Sequence, residues 1–142
     1  MKSKAVKILN EILESEMSGV VLYTHYSLVI TGPHRMPLVE FMKAQATESL
    51  AHAQAAGEIL TGLGGDPSIG VAPLQDTHDH SVNAIIEESY EHEMRALGLY
   101  KQLLDVVADK SVYLEEYARG MIGQEELHTM ELRKMRKGYG VG

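Results

Sequence analysis

The chain has 142 residues and not one cysteine. Disulfides, thiolate catalysis and cysteine-ligated zinc or iron–sulfur sites are therefore excluded. Proline is scarce, with four residues, and all four fall in two short stretches, 33–37 and 67–73. Long hydrophobic runs are missing too. The most apolar stretch, "GVVLYTHYSLVI", is too short and too interrupted to span a bilayer. Nor is there an excess of positive charge: 13 Lys and Arg against 20 Asp and Glu leave a net charge of −7. Such a balance gives no general electrostatic footprint for nucleic acid or an anionic membrane, so neither is expected as a partner. One basic cluster, Arg133, Lys134, Arg136 and Lys137, reads as cations complementing a helix C-terminus. The N-terminus, "MKSKAVKILNEILESE", turns acidic too soon for a secretory segment, and a cytoplasmic protein is the default.

What remains is helical periodicity in four segments, with little that reads as strand. The length suits one domain, residues 1–142, with one substantial core. The first helix is expected from about Ser3 to Ile30, with Leu9 (or Ile8), Ile12, Glu16, Val20 and Tyr23 on one stripe. Gly32, Pro33 and Pro37 punctuate strongly after it. The second, about Leu38 to Leu63, carries Phe41, Gln45, Glu48, His52, Ala56 and Ile59, and "GLGGDP" closes it. After an irregular stretch over about 64–80, Ser81 caps a third helix reaching about Val107. Its stripe reads Val82, Ile86, Ser89, Glu93, Ala96, Tyr100 and Leu104. The fourth runs from about Val112 to Lys137 with Leu114, Ala118, Met121, Glu125, His128, Leu132 and Met135 inward, and glycines 138, 140 and 142 mark a frayed end.

Short links make helices one and two, and three and four, antiparallel hairpins. A connection of roughly 17 residues reaches about 55 Å when extended, enough to run the length of a helix of about 39 Å. The expected fold is all-α: a four-helix bundle of two hairpins joined by a long crossover, with an internal pseudo-two-fold.

The repeat is written in the chemistry as well. "EMSGVVLY" (16–23) and "EMRALGLY" (93–100) share Glu-Met-x-small-x-x-Leu-Tyr. Glu16 to Glu48 spans 32 residues, as does Glu93 to Glu125; Glu16 to His52 spans 36 and Glu93 to His128 spans 35. Taken singly, a glutamate on an apolar stripe is ordinarily a solvated edge residue. A lone histidine there is more often a hydrogen-bonded core residue than a ligand, and the methionines (17, 94, 121, 130, 135) are packing material first. Tyr23 and Tyr100 read as core aromatics whose hydroxyls need partners. Jointly the ordinary reading weakens. Four carboxylates facing one another would cost several kcal/mol each, a total rivalling the roughly 5–15 kcal/mol of a domain's stability. No Lys or Arg shares these stripes at that level. Two divalent ions balance four glutamates, with His52 and His128 completing the shells. Carboxylate with imidazole and no sulfur suits iron, manganese or zinc.

These motifs resemble the bacterioferritin branch of the ferritin-like superfamily, over nearly the whole chain from "LNEILESE" through "HAQAAGEILTGLGGDP" to "GQEELHTMEL". Glu16 with Tyr23, His52-Ala53, Glu93, and Glu125-x-x-His128 match the family's motifs. The resemblance implies a centre of two iron ions, with Glu16 and Glu93 terminal, Glu48 and Glu125 bridging, and one histidine on each ion. It implies Fe(II) oxidation by dioxygen or peroxide in iron storage or detoxification, and a homo-oligomer, at least a dimer. Tyr23 and Tyr100 would orient the ligating carboxylates. Three departures stand out. Helix two has Glu48-x-x-x-His52, with Ser49 where the family has its glutamate; a one-residue π-bulge would restore the usual directions. Leu50 stands where the family's haem-binding methionine falls, so haem is not expected. Only 14 residues follow His128, leaving no room for the family's fifth, shell-building helix. The alternatives are a di-iron peroxidase or oxygenase, and a metal-stabilised dimeric binding protein. The loop histidines His34, His78 and His80 read as solvated residues.

Overall fold

Four helices form where the periodicity predicts them: α1 (Lys2–Val29), α2 (Arg35–Gly62), α3 (Val82–Val107) and α4 (Val112–Met135). They are seen in a computed structural model that describes residues 1–74 and 77–136, among which there is no strand. The expected last turn of α4 at Lys137 and the terminal glycines lie outside the described residues.

Helix ends follow local chemistry. Ser81 and Ser111 accept hydrogen bonds from the amides of Ala84 and Leu114, both at 3.2 Å, satisfying donors that the helix itself leaves open. α2 closes on Gly64 at φ +86°, with Gly64 N–H donating to Thr61 O and Gly65 N–H to Leu60 O, a Schellman arrangement. α2 begins at Arg35, three residues before the expected Leu38. Pro37 therefore sits inside the first turn, where its missing N–H has no partner to lose. Arg35 also reaches back to donate to Ile30 O at 2.5 Å, satisfying a carbonyl at the end of α1.

α1 packs on α2, α3 on α4, and α1 on α3. Tyr23 bonds Glu93 while Tyr100 bonds Glu16, so α1 and α3 run antiparallel. The crossover is strapped along α1. Asn10 holds the backbone of Asp66 and Ser68, Glu14 holds the Ser68 hydroxyl and the Ala72 amide, and the Thr77 hydroxyl reaches Glu88 on α3. Two apolar clusters form, one around Leu9, Ile12, Leu60, Leu103 and Leu114, the other around Leu22, Tyr26, Ile30, Met42 and Ile85. Burying each such side chain is worth about 1.5–3 kcal/mol. Together they can hold a polar layer between them.

The buried stripes of α1, α3 and α4 follow the expected faces, although Val20, Val82, Leu104, His128 and Met135 are only half-buried. That of α2 does not. Its buried residues are Val39, Met42, Ser49, Ala53, Ala56 and Leu60, while Phe41, Gln45, Glu48, His52 and Ile59 are only half-buried. α2 lies hard against α1, where a methyl group on Gly19 would stand 2.8 Å from Ser49 Oγ. Among the described residues α2 and α4 bring no Cα atoms within 8 Å of each other. The second stripe therefore faces a gap. Met94 and Met130, expected as packing, are exposed.

Candidate metal centre

All six predicted donors converge between the apolar clusters. Glu16 comes from α1, Glu48 and His52 from α2, Glu93 from α3, and Glu125 and His128 from α4. Glu16, His52 and Glu125 bring one donor atom each within 4.8 Å of one another, as do Glu93, Glu125 and His128. Glu125 belongs to both triads. It is 1% exposed, and its Oε2 and the His128 Nδ1 are buried without a hydrogen-bond partner. Glu48 joins neither triad but lies between the two histidines, its Oε1 3.2 Å from His128 Nε2 and 3.6 Å from His52 Nε2. The clusters thus form a dinuclear, carboxylate-bridged site suited to two iron ions.

Each tyrosine fixes one oxygen of a carboxylate and leaves the other turned toward the neighbouring donors. Tyr23 donates to Glu93 Oε1 at 2.6 Å. Tyr100 donates to Glu16 Oε1 at 3.2 Å, while Glu16 Oε2 lies 3.4 Å from His52 Nδ1. Both phenols are fully buried. Burial raises their pKa values and the neighbouring carboxylates add to it, so both stay protonated donors.

Without a metal, the centre lacks positive charge. Burial raises Glu16; it pushes Glu93 up to about 8, with Glu125 adding to the effect. Burial likewise pushes Glu125 up to about 7, with Glu16 and Glu48 adding. Burial works against a charge on His52, yet the carboxylates of Glu16, Glu125 and Glu48 outweigh it and bring the imidazole up to about 9. An imidazolium and shared protons do poorly what two divalent cations would do well. The orphaned Glu125 Oε2 and His128 Nδ1, a hard oxygen and an imidazole nitrogen, fit such ions.

α2 is an unbroken α-helix through residues 48–52, so the expected π-bulge does not form. Ser49 points away from the donors and packs against Gly19 on α1. The four-residue spacing suffices because α2 stands off from α4, and Glu48 spans that gap to reach His128. Two residues near the centre escaped the periodicity. Gln124 meets His52 Nε2 at 3.2 Å, and its position beside Glu125 was the one available clue. His92, buried between α1 and α3, sets its ring edge-on to Tyr23 at 5.7 Å between centroids. Burial lowers its pKa. Of the loop histidines, His80 meets the His25 ring at 5.6 Å, and His34 and His78 are exposed; none joins the donor clusters.

Fold and site define a four-helix bundle built around a dinuclear carboxylate centre. The family model of the ferritin-like domain matches residues 6–137, and the chain belongs to that family. Its fold is similar to that of a ferritin-like, diiron-carboxylate protein from Bacillus anthracis, at 24% identity over 94% of this chain and 96% of that one, TM-score 0.88. It is similar also to the bacterioferritin of Desulfovibrio desulfuricans, at 24% identity over 96% of this chain and 80% of that one, TM-score 0.82. The Rhodobacter capsulatus bacterioferritin gives 22% identity over 93% and 82%, TM-score 0.81. No curated protein matches the chain.

Proposed function

We propose that the chain binds two Fe(II) ions at the six-donor cluster and oxidises them with dioxygen or peroxide, as a ferroxidase in iron storage or detoxification. The observation that carries this reading is Glu125, common to both donor triads and buried with an unpartnered oxygen. Glu16 and Glu93 would serve as terminal ligands, Glu48 and Glu125 as shared ones, and His52 and His128 would each hold one ion. When bound, the ions supply one electron each to the oxidant.

The chain's own part is positioning and access. Tyr23 and Tyr100 hold one oxygen of Glu93 and of Glu16, so the second oxygen faces the centre without losing rotamer freedom on binding. Glu48, with its side chain 36% exposed, is the ligand that can swing. A cavity of about 280 Å³ lined by Phe41, Gln45, Leu127, His128 and Leu132 opens beside it, on the side where α2 and α4 part. Through that gap ions and oxidant reach the donors. No helix among the described residues is long and apolar enough to cross a membrane. Val21, Leu28 and Leu50 expose an apolar face on α1 and α2, which supports assembly into at least a dimer.

Anaerobic titration of the metal-free chain with Fe(II) tests the proposal. Saturation at two irons per chain, followed on exposure to air or peroxide by ferric absorbance, is the expected result. Saturation at one iron or fewer rejects it.

A further inference from the structure

Each histidine of the centre turns one ring nitrogen to a donor triad and the other to the opposite hairpin. His52 Nδ1 lies 3.4 Å from Glu16 Oε2 and 3.9 Å from Glu125 Oε1, the two carboxylates of its triad. His128 Nδ1 lies 3.8 Å from Glu125 Oε2 and is buried without a hydrogen bond. The outward nitrogens meet unlike groups. His128 Nε2 faces a carboxylate of α2, Glu48 Oε1, at 3.2 Å. His52 Nε2 faces an amide of α4, Gln124 Oε1, also at 3.2 Å, with Glu48 Oε1 farther off at 3.6 Å.

An amide oxygen only accepts, so His52 must carry a proton on Nε2 to make that bond. A cation arriving at the triad then has only the Nδ1 proton to displace. Gln124 thus keeps hydrogen on the far nitrogen, leaves the near one to the ion and sets the plane of the ring. Glu48 stands in the same relation to His128, with one difference. Its negative charge strengthens the imidazole lone pair toward a cation, and a neutral amide does not.

We propose that Gln124 is a positioning residue for His52, and that its neutral amide makes the ion position at Glu16 and His52 the weaker of the two. The inference rests on the two-ion reading of the centre and not on the oxidation step. Gln124 is exposed and belongs to neither apolar cluster, so replacing it leaves the packing of the bundle intact.

Zn(II), which has no redox chemistry, is the probe. Titration of the metal-free full chain with Zn(II), in competition with a chelator, should resolve two binding steps of unequal affinity. Gln124→Leu should weaken the second step about tenfold and leave the first within about twofold. Gln124→Glu, which places a carboxylate behind His52 as well, should instead tighten the second step at least about threefold. In His52→Ala, expected to keep one Zn(II), adding Gln124→Leu should change the affinity no further, because the amide acts only through that ring. Metal-free Gln124→Leu should melt within about 3 °C of the wild type, which separates positioning from a general loss of structure. Equal shifts of both steps in Gln124→Leu, a weaker second step in Gln124→Glu, or an undiminished effect in the His52→Ala background overturns the proposal. Two Zn(II) per chain with no difference among wild type and variants rejects the role of Gln124 and leaves the two-ion centre standing. One Zn(II) or fewer in the wild type rejects both.

Discussion

The two hairpins share a 32-residue spacing of glutamates and use it differently. In α3–α4, Glu125 and His128 are three residues apart, and Glu125 is sealed between four helices. In α1–α2, Glu48 and His52 are four apart, and Glu48 stands partly in the open gap facing α4. The tyrosines differ in the same sense, Tyr23 bonding Glu93 at 2.6 Å and Tyr100 bonding Glu16 at 3.2 Å. A repeat in sequence is not a repeat in environment. One carboxylate is buried and dearly desolvated; the other is partly exposed.

Substituting the buried carboxylate is the strongest test of that contrast. Glu125→Gln should remove binding of both ions, lowering affinity at least about 100-fold, because both triads lose their shared ligand. It should also raise the metal-free chain's stability at pH 8 by about 1–2 kcal/mol, since a buried charge is gone. Near this length that is roughly 4–8 °C in Tm. Melting curves with and without Fe(II) read both effects. A variant that still binds two irons would refute the shared bridge.

The electrostatics of the whole centre give the next largest effect. Glu93 is raised from 4.5 to about 8, Glu125 from 4.5 to about 7 and His52 from 6.5 to about 9. In each case the folded state holds its proton more tightly than the unfolded state, so stability falls as pH rises across the window from 4.5 to about 9. Chelator-treated protein should therefore melt several degrees lower at about pH 8.5 than at about pH 5.5. Bound iron should reverse the trend, because protons compete with metal for these groups. A metal-free Tm that climbs over this range would contradict the charge assignment.

The partly exposed carboxylate should matter less. Glu48→Gln is expected to weaken iron binding about tenfold, leaving metal-free stability within about 0.5 kcal/mol. Equal losses of iron affinity in Glu48→Gln and Glu125→Gln would erase the difference between the halves. Between the tyrosines, Tyr23→Phe should cost about 1–2 kcal/mol and Tyr100→Phe about 0.5–1 kcal/mol, following bond length. Denaturant melts of the two variants decide the order. The smallest contrast lies at the small residue of the repeated phrase, Gly19 in one copy and Ala96 in the other. Gly19→Ala pushes a methyl against Ser49 Oγ and His92 Nε2 and should destabilise despite better helix propensity, by about 1 kcal/mol. Ala96→Gly should lose a similar amount for the opposite reason, backbone entropy. A stabilised Gly19→Ala would show that the α1–α2 crossing is looser than its geometry indicates.

Much of this was legible before any coordinates. Helix spans, the hairpin pairing and the six donors follow from periodicity and from the 32-residue repeat. Charge arithmetic then demands cations. The stripe of α2 was misread because periodicity gives a face, while the neighbour that covers it is a tertiary matter: Gly19 and Ser49 draw α2 onto α1 and rotate its other side toward a gap. The same displacement made a π-bulge unnecessary, since Glu48 reaches across that gap from a regular helix. Gln124 and His92 carried no repeat partner, and nothing in the spacing set them apart.

By itself, then, the order of residues determined the helices, their pairing and which carboxylates and imidazoles are candidate donors, because these depend on local periodicity, loop reach and charge. Only the packed bundle decided which carboxylate is buried, which is partly exposed and which oxygen is left without a partner. Those properties depend on distances between helices, and such distances are set by side chains far apart in the chain.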